Sequence, residues 1–108
     1  MKVYKLFNSL EEANIKIEER RVYRILIDEE RFCLLRLKGR YYVFEPTCPH
    51  SGYSLENAKP NFDNEIVCPA HAYRFNASSG QESQHRCRNL KIFTVEENEK
   101  KELVVKLT

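Results

Sequence analysis

The sequence predicts an all-β fold, an antiparallel β-sandwich or barrel. Two observations favour it: several short runs are rich in β-branched and aromatic residues, and polar turns of hairpin length separate them. With 108 residues, 42% of them hydrophobic, the chain is long enough to bury one core. We therefore expect a single domain over residues 1–108, with the apolar residues of the runs in its core.

The first predicted element is a short helical turn that begins at Ser9. Ser9 and Glu12 have the spacing of a capping box, in which each side chain binds a backbone N–H at the start of a helix. Two strands follow, at residues 22–27 and 32–37. The four polar residues between them are hairpin-length, so we expect the two strands to be antiparallel.

A third strand is predicted at residues 41–44, after a short turn around Gly39. Pro46 ends this strand because proline has no N–H to donate to a sheet. Near the C-terminus, residues 91–95 and 103–107 flank a polar run. These two segments predict a final hairpin, so strands are expected on both sides of the segment in the middle of the chain.

Charge and hydropathy limit the possible partners. Eighteen Lys and Arg against sixteen Asp and Glu leave a formal charge of +2, too small to indicate nucleic-acid or anionic-membrane binding. No apolar run approaches the roughly 20 residues that a membrane helix needs, and the N-terminus lacks an apolar signal core. The expectation is a cytoplasmic monomer without nucleic-acid or membrane partners.

The middle segment, residues 46–90, differs in composition from both flanks. It holds all four prolines, all three histidines and three of the four cysteines, but only eight charged residues. The other 63 residues carry the remaining 26 of the 34 charges. Residue types that bind metals are thus concentrated in a charge-poor, turn-rich segment, and we expect the functional site there.

Two motifs in this segment each pair a thiol with an imidazole. Cys48-Pro49-His50 and Cys68-Pro69-Ala70-His71 are separated by seventeen residues. A disulfide between the two cysteines is a poor explanation in a reducing compartment and leaves both histidines unexplained. A metal site explains all four side chains.

The spacing of the motifs alone leaves two kinds of metal centre open, a zinc site and a [2Fe-2S] centre. Zinc accepts two Cys and two His, although zinc fingers usually place the two cysteines close together. In a binuclear [2Fe-2S] centre, a loop with mixed donors can place its thiolate on one iron and its imidazole on the other. Proline stiffens each loop, and Gly52 lets the backbone approach such a centre closely.

These motifs resemble the signature of the Rieske iron-sulfur proteins: Cys-x-His, a gap of about this length, then Cys-x-x-His. The resemblance extends through residues 48–55 and 66–76, with Ser79-Gly80 as the turn that follows. It implies a Rieske-type sandwich with an inserted two-loop cluster-binding subdomain at about residues 46–90, and it covers about residues 1–108.

The resemblance also implies the cofactor and its ligands. One [2Fe-2S] cluster is expected per chain, with Cys48 and Cys68 binding one iron and His50 and His71 binding the other. It implies an electron carrier rather than an enzyme, passing one electron from a flavin-dependent reductase to a terminal oxidoreductase such as an oxygenase. An accessory small subunit of a larger reductase, like that of nitrite reductases, and a structural zinc module remain open.

Departures from the family pattern favour the oxygenase-associated type of Rieske ferredoxin. Tyr53 and Ala70 stand where respiratory Rieske proteins have the cysteines of a disulfide. Tyr73 and Phe75 stand where those proteins have a serine and a tyrosine that donate hydrogen bonds to the cluster and its Cys ligand. Fewer donors stabilise the reduced state less, so a potential of about −150 mV is expected.

The remaining reactive side chains are predicted to lie outside the site. Cys33 is expected to be an inert buried thiol, Cys87 a surface thiol and His85 a solvated loop histidine. Arg86 and Arg88 are interpreted as part of an ordinary solvated loop rather than a docking face for an acidic partner.

Overall fold

The computed structural model describes residues 2–107, which form three antiparallel sheets and one short helix. Its elements are β1 Lys2–Phe7, α1 Leu10–Lys16, β2 Val22–Ile27, β3 Glu30–Leu37, β4 Arg40–Phe44, β5 Lys59–Pro60, β6 Glu65–Val67, β7 Arg74–Asn76, β8 Ile92–Phe93, β9 Val95–Glu97 and β10 Leu103–Leu107. The predicted all-β fold class is confirmed. Between residues 2 and 107, no helix is long and apolar enough to cross a membrane.

Two of the sheets form the body of the fold and the third lies in the middle segment. The body has a four-stranded sheet of order β2-β3-β4-β8 and a three-stranded sheet of order β1-β10-β9. The third sheet, of order β5-β6-β7, lies within residues 46–90. The predicted meander β2-β3-β4 and the final hairpin β9-β10 are both present.

Strand β3 is buried on both of its faces. Successive side chains of a strand point to opposite faces of the sheet. Phe32 and Leu34 belong to one buried cluster with Leu103 and Val105 of β10. On the opposite face, Leu35 belongs to a second buried cluster, whose other members include side chains of the middle segment. The strand therefore joins the core of the sandwich to the core beneath the candidate site.

Both turns of the meander contain two residues rather than the longer loops that the sequence suggested. Ile27 pairs with Glu30, so the prediction that β3 starts at residue 32 is wrong by two residues. Asp28 and Glu29 both have positive φ, +53° and +67°. A turn of this kind, with positive φ at both central residues, matches the twist of paired strands and lets the pairing continue to its end.

The predicted strand at residues 91–95 is two strands in the structure. Residues of β8 pair with β4, whereas those of β9 pair with β10 of the other sheet. One straight strand cannot pair with both sheets, so the chain changes sheets at Thr94. Strand β1, which the sequence pattern did not predict, completes the second sheet by pairing with β10.

The predicted helical turn is a seven-residue helix, α1. The Ser9 side chain accepts a hydrogen bond from the Glu12 backbone N–H at 3.0 Å, as the capping box predicts. The Glu12 carboxylate binds the backbone N–H of Asn8 rather than that of Ser9. The buried Ala13 packs this helix against the core of the sandwich.

Hydrogen bonds among three residues join the two ends of the middle segment, and we call these residues the neck: Glu45, Arg88 and Lys91. The Glu45 backbone N–H donates to the Lys91 carbonyl at 3.1 Å, and the Lys91 backbone N–H donates to Glu45 Oε2 at 2.7 Å. Arg88 donates to both carboxylate oxygens at 2.7 and 3.0 Å. Burial opposes ionisation, but these hydrogen bonds hold the pKa of Glu45 below its ordinary value.

Gly80 lies where the turn after β7 packs against the backbone of Leu90, at the end of the middle segment. Its N–H donates to the Asn76 carbonyl at 2.7 Å, and its carbonyl accepts from the Leu90 N–H at 2.7 Å. A Cβ at this position would lie 1.9 Å from the Leu90 carbonyl oxygen. Because the obstacle is backbone, it cannot move aside without breaking these contacts.

We expect Gly80→Ala to lower the free energy of unfolding by about 3 kcal/mol or more, because backbone overlap adds to the cost of a positive φ. Gly39→Ala is the matched control, since Gly39 has φ +78° against +79° for Gly80 but open space around its Cβ position. The control should cost about 1 kcal/mol. Thermal unfolding followed by circular dichroism measures both, and equal losses would contradict the packing argument.

Candidate metal centre

The two predicted motifs form loops with the same backbone hydrogen bonds. In the first loop, residues 48–53, the Cys48 N–H donates to the Tyr53 carbonyl at 2.8 Å and the Gly52 N–H to the Cys48 carbonyl at 2.8 Å. In the second loop, residues 68–73, the Cys68 N–H donates to the Tyr73 carbonyl at 2.8 Å and the residue-72 N–H to the Cys68 carbonyl at 3.0 Å. Each loop thus folds back on its own cysteine.

The fourth residue after each cysteine has a left-handed backbone. Gly52 has φ +71°, and Ala72, at the equivalent place in the second loop, has φ +56°. Glycine adopts this conformation freely, whereas an alanine there is strained. The hydrogen bond from residue 72 to Cys68 holds the second loop in the same shape in spite of that cost.

The structure pairs the four predicted ligand residues by type, with both cysteines in one buried cluster and the two histidine rings in contact at the surface. The thiols of Cys48 and Cys68 are 2% and 1% exposed and are not bonded to each other. His50 and His71 are exposed, and their ring centroids lie 5.4 Å apart with ring planes at 87°. Two thiols therefore lie on the inner side of the site and two adjacent imidazoles on its outer side.

This donor set fits a [2Fe-2S] cluster. Within residues 2–107, no three His, Cys, Asp or Glu side chains are grouped closely enough to hold one metal ion. A binuclear cluster needs only two protein ligands on each iron, because inorganic sulfide supplies the others. The buried thiol pair and the exposed imidazole pair provide two such sets.

An ion pair with a buried carboxylate lies beside the second loop. Glu82 has no exposed surface, and its carboxylate accepts hydrogen bonds from Arg86 Nε at 3.2 Å, Arg86 Nη2 at 2.7 Å and the Arg86 backbone N–H at 2.8 Å. Ser83 Oγ adds a fourth at 3.2 Å. The Arg86 guanidinium, opposed by burial, is the main cause that lowers the pKa of Glu82 to about 2. The pair is therefore charged at neutral pH.

The structure tests the expectations for the other candidate residues. Cys33 is fully buried in β3, and burial, helped by the charge of Glu56, raises the pKa of its thiol to about 12. Cys87 is half-buried rather than on the surface, and burial raises its pKa too. His85 is exposed, with its Nδ1 3.0 Å from the Gln81 amide nitrogen. None of the three lies in the two Cys-His loops, although Cys33 belongs to the buried cluster that contains Cys48 and Cys68, and Cys87 packs against it.

Arg86 and Arg88 lie in an exposed loop, as expected, but their guanidinium groups are paired with carboxylates. Each guanidinium binds a carboxylate that is largely withdrawn from solvent, Glu82 for Arg86 and Glu45 for Arg88. Neither carboxylate partner was predicted from the sequence. The charge-poor segment contains few acidic residues with which an arginine can pair. The i, i+4 spacing of Glu82 and Arg86 was a usable signal for their ion pair. Ser51 accepts a hydrogen bond from the Tyr53 N–H, which gives it a role in the loop turn.

Comparison with known families identifies the fold and its cofactor. A model of the Rieske [2Fe-2S] domain matches residues 7–94. The chain belongs to the Rieske family. Its cofactor is a [2Fe-2S] cluster, and the resemblance found in the two Cys-His motifs is confirmed.

Several known proteins are similar to this Rieske chain. The ferredoxin component of the alkene monooxygenase system of Xanthobacter autotrophicus is 29% identical over 55 residues. That match covers 51% of this Rieske chain and 45% of the relative, so the chain matches less than half of the relative's length.

Solved structures match along nearly the whole Rieske chain. A chain from the complex of oxygenase and ferredoxin in carbazole 1,9a-dioxygenase has a TM-score of 0.73 at 25% identity, covering 98% of this chain and 97% of that one. An NADH-dependent nitrite reductase small subunit from Mycobacterium tuberculosis has a TM-score of 0.75 at 12% identity, covering 99% and 96%. The second likeness shows the fold alone.

The strained backbone of the second loop leads to a prediction. We expect Ala72→Gly to raise the free energy of unfolding by about 0.5–1 kcal/mol. Glycine relieves the strain of the left-handed backbone in the folded state, and this gain exceeds the cost of the extra conformational entropy that glycine gives the unfolded chain. Gly52→Ala, at the equivalent position and with open space at its Cβ, should lower it by about 1 kcal/mol. Thermal midpoints of the two holoproteins measure both effects. Shifts of the same sign would show that the loops are not equivalent.

Proposed function

We propose that this Rieske protein is a one-electron carrier whose [2Fe-2S] cluster is bound by Cys48, Cys68, His50 and His71. The observation that carries the proposal is the pairing of these residues by type, two buried thiols and two exposed, adjacent imidazoles. The cluster supplies reversible one-electron chemistry. The protein residues bind it, shield its inner side and leave one edge accessible.

The exposed histidines give an electron its shortest route to a partner. The cysteine side of the site lies in the same buried cluster as Leu35 and Phe44, beneath the surface of the body. His50 and His71 instead lie at the surface of the two loops. A partner that docks over these imidazoles comes within contact of the proposed ligands, so electrons enter and leave at this edge.

Residue types around the site favour a low reduction potential for a Rieske protein. Phe75 is fully buried and has no hydroxyl, so it cannot donate a hydrogen bond to the cluster or its cysteine ligands. Hydrogen bonds to the sulfurs and ligands stabilise the reduced charge and raise the potential. We therefore retain the expected value of about −150 mV, the low end of the Rieske range.

The proposed partners are a flavin-dependent reductase as donor and a terminal oxygenase as acceptor. The named relatives support this pairing, since one is a ferredoxin component of an alkene monooxygenase system and another comes from an oxygenase–ferredoxin complex. A carrier of this kind acts as a redox component and catalyses no reaction alone. Reduction of the isolated protein by a reductase, followed by oxidation by an oxygenase, distinguishes it from an accessory subunit.

Substitution of the proposed ligands should abolish a stable native cluster. We expect His71→Ala and Cys48→Ser to lose the visible charge-transfer bands and the bound iron, because each removes a donor that the other side chains cannot replace. Cys33→Ser and His85→Ala are the controls, since neither residue belongs to the two Cys-His loops. Iron content and visible absorption measure the outcome. Loss of the cluster in His85→Ala would mean that the wrong histidine has been assigned.

The potential and the metal content test the class of the protein. A red-brown protein with two irons per chain, a rhombic EPR signal on reduction and a midpoint near −150 mV is expected. A midpoint above about +100 mV would place the protein in the respiratory part of the range and contradict the oxygenase assignment. A colourless protein with stoichiometric zinc would instead support the structural zinc module.

A further inference from the structure

The ring of Tyr73 makes close contact with two other groups. It stacks on the His50 imidazole with centroids 3.9 Å apart and planes at 19°. The central guanidinium carbon of Arg86 lies 3.6 Å from the same Tyr73 centroid. Two groups at van der Waals distance from one ring centre cannot occupy the same face, so the tyrosine ring lies between the imidazole and the guanidinium.

His50, Tyr73 and Arg86 form a column, and its Arg86 end is fixed to the core. Arg86 is held by three hydrogen bonds to Glu82, two of them from its guanidinium. Glu82 is fully buried, and its backbone forms a bridge with Phe75 of β7, whose side chain is also fully buried. A guanidinium held on two nitrogens by a fixed carboxylate is restricted in orientation, and its central carbon lies over the Tyr73 ring.

We propose that Arg86 is a positioning residue that holds the Tyr73 ring against His50 and thereby fixes the orientation of that imidazole. The inference rests on the proposed ligand set, in which His50 binds the outer iron. His50 is exposed, so packing against the core does not fix its ring. The column supplies the constraint, because the tyrosine closes one face of the imidazole and the arginine prevents the tyrosine from moving away.

Arg88 provides a matched control in the same segment. It also donates two guanidinium hydrogen bonds to one carboxylate, that of Glu45, and its side chain is 53% exposed against 38% for Arg86. Within residues 2–107, its guanidinium stacks on no aromatic ring. The two arginines thus share a two-pronged hydrogen bond to one carboxylate and differ in their contact with Tyr73.

The test compares Arg86→Lys with Arg88→Lys in the reduced holoprotein. Lysine keeps the positive charge but has neither the planar face nor the two-pronged geometry of arginine. Pulsed EPR measures the nitrogen couplings of the histidine ligands, which depend on the orientation of each imidazole. We expect Arg86→Lys to shift and broaden the couplings of one histidine and Arg88→Lys to leave both unchanged.

Tyr73→Leu keeps the test decisive if the Arg86 variant fails to hold its cluster. This variant leaves the Glu82–Arg86 pair intact and removes only the ring, so it should change the couplings of the same histidine. Tyr73→Phe, which keeps the ring, should restore them. Wild-type couplings in Arg86→Lys would overturn the positioning role, as would wild-type couplings in Tyr73→Leu if the Arg86 variant loses its cluster. Either result leaves the ligand assignment standing. A wild-type protein without histidine couplings would instead refute the ligand assignment itself.

Discussion

Burial of β3 on both faces is the constraint on which the rest of the structure depends. One face of the strand, with Phe32 and Leu34, completes the core between the two sheets of the body. The other face, with Leu35 and Leu37, forms the floor on which the middle segment packs. The run of apolar residues that this requires departs from the alternation of a half-solvated strand. Packing on this second face of β3 also gives the middle segment, with its two short loops and three-stranded sheet, a fixed position.

The neck determines where that segment begins and ends. Glu45 binds the chain as it leaves the body and, through Lys91, as it returns. Gly80 admits the Leu90 backbone close to the turn beyond β7. Together these contacts give the two loops a common base, so the shared backbone pattern of residues 48–53 and 68–73 can place equivalent cysteines side by side.

Features that depend on local chemistry could be predicted from the sequence, and features that depend on long-range packing could not. The Cys-His spacing, the bounds of β2 and β10 and the Ser9 cap are local signals, and the structure confirms the strands and the cap. The division of residues 91–95 between two sheets depends on which neighbours the strands meet, so no local pattern contains it. The burial of Glu82 was hidden for the same reason, since a single glutamate in a polar loop is ordinarily solvated.

The cysteines of the site share their buried cluster with Leu35 and Phe44 of the body. Anything that binds only the folded state adds its binding free energy to the stability of that state. A chain that has not acquired its cluster therefore has a less stable core as well as no redox activity, and its unfolded fraction is larger. Unfolded chains are degraded faster than folded ones. We therefore expect a chain without its cluster to be degraded faster than one that carries it.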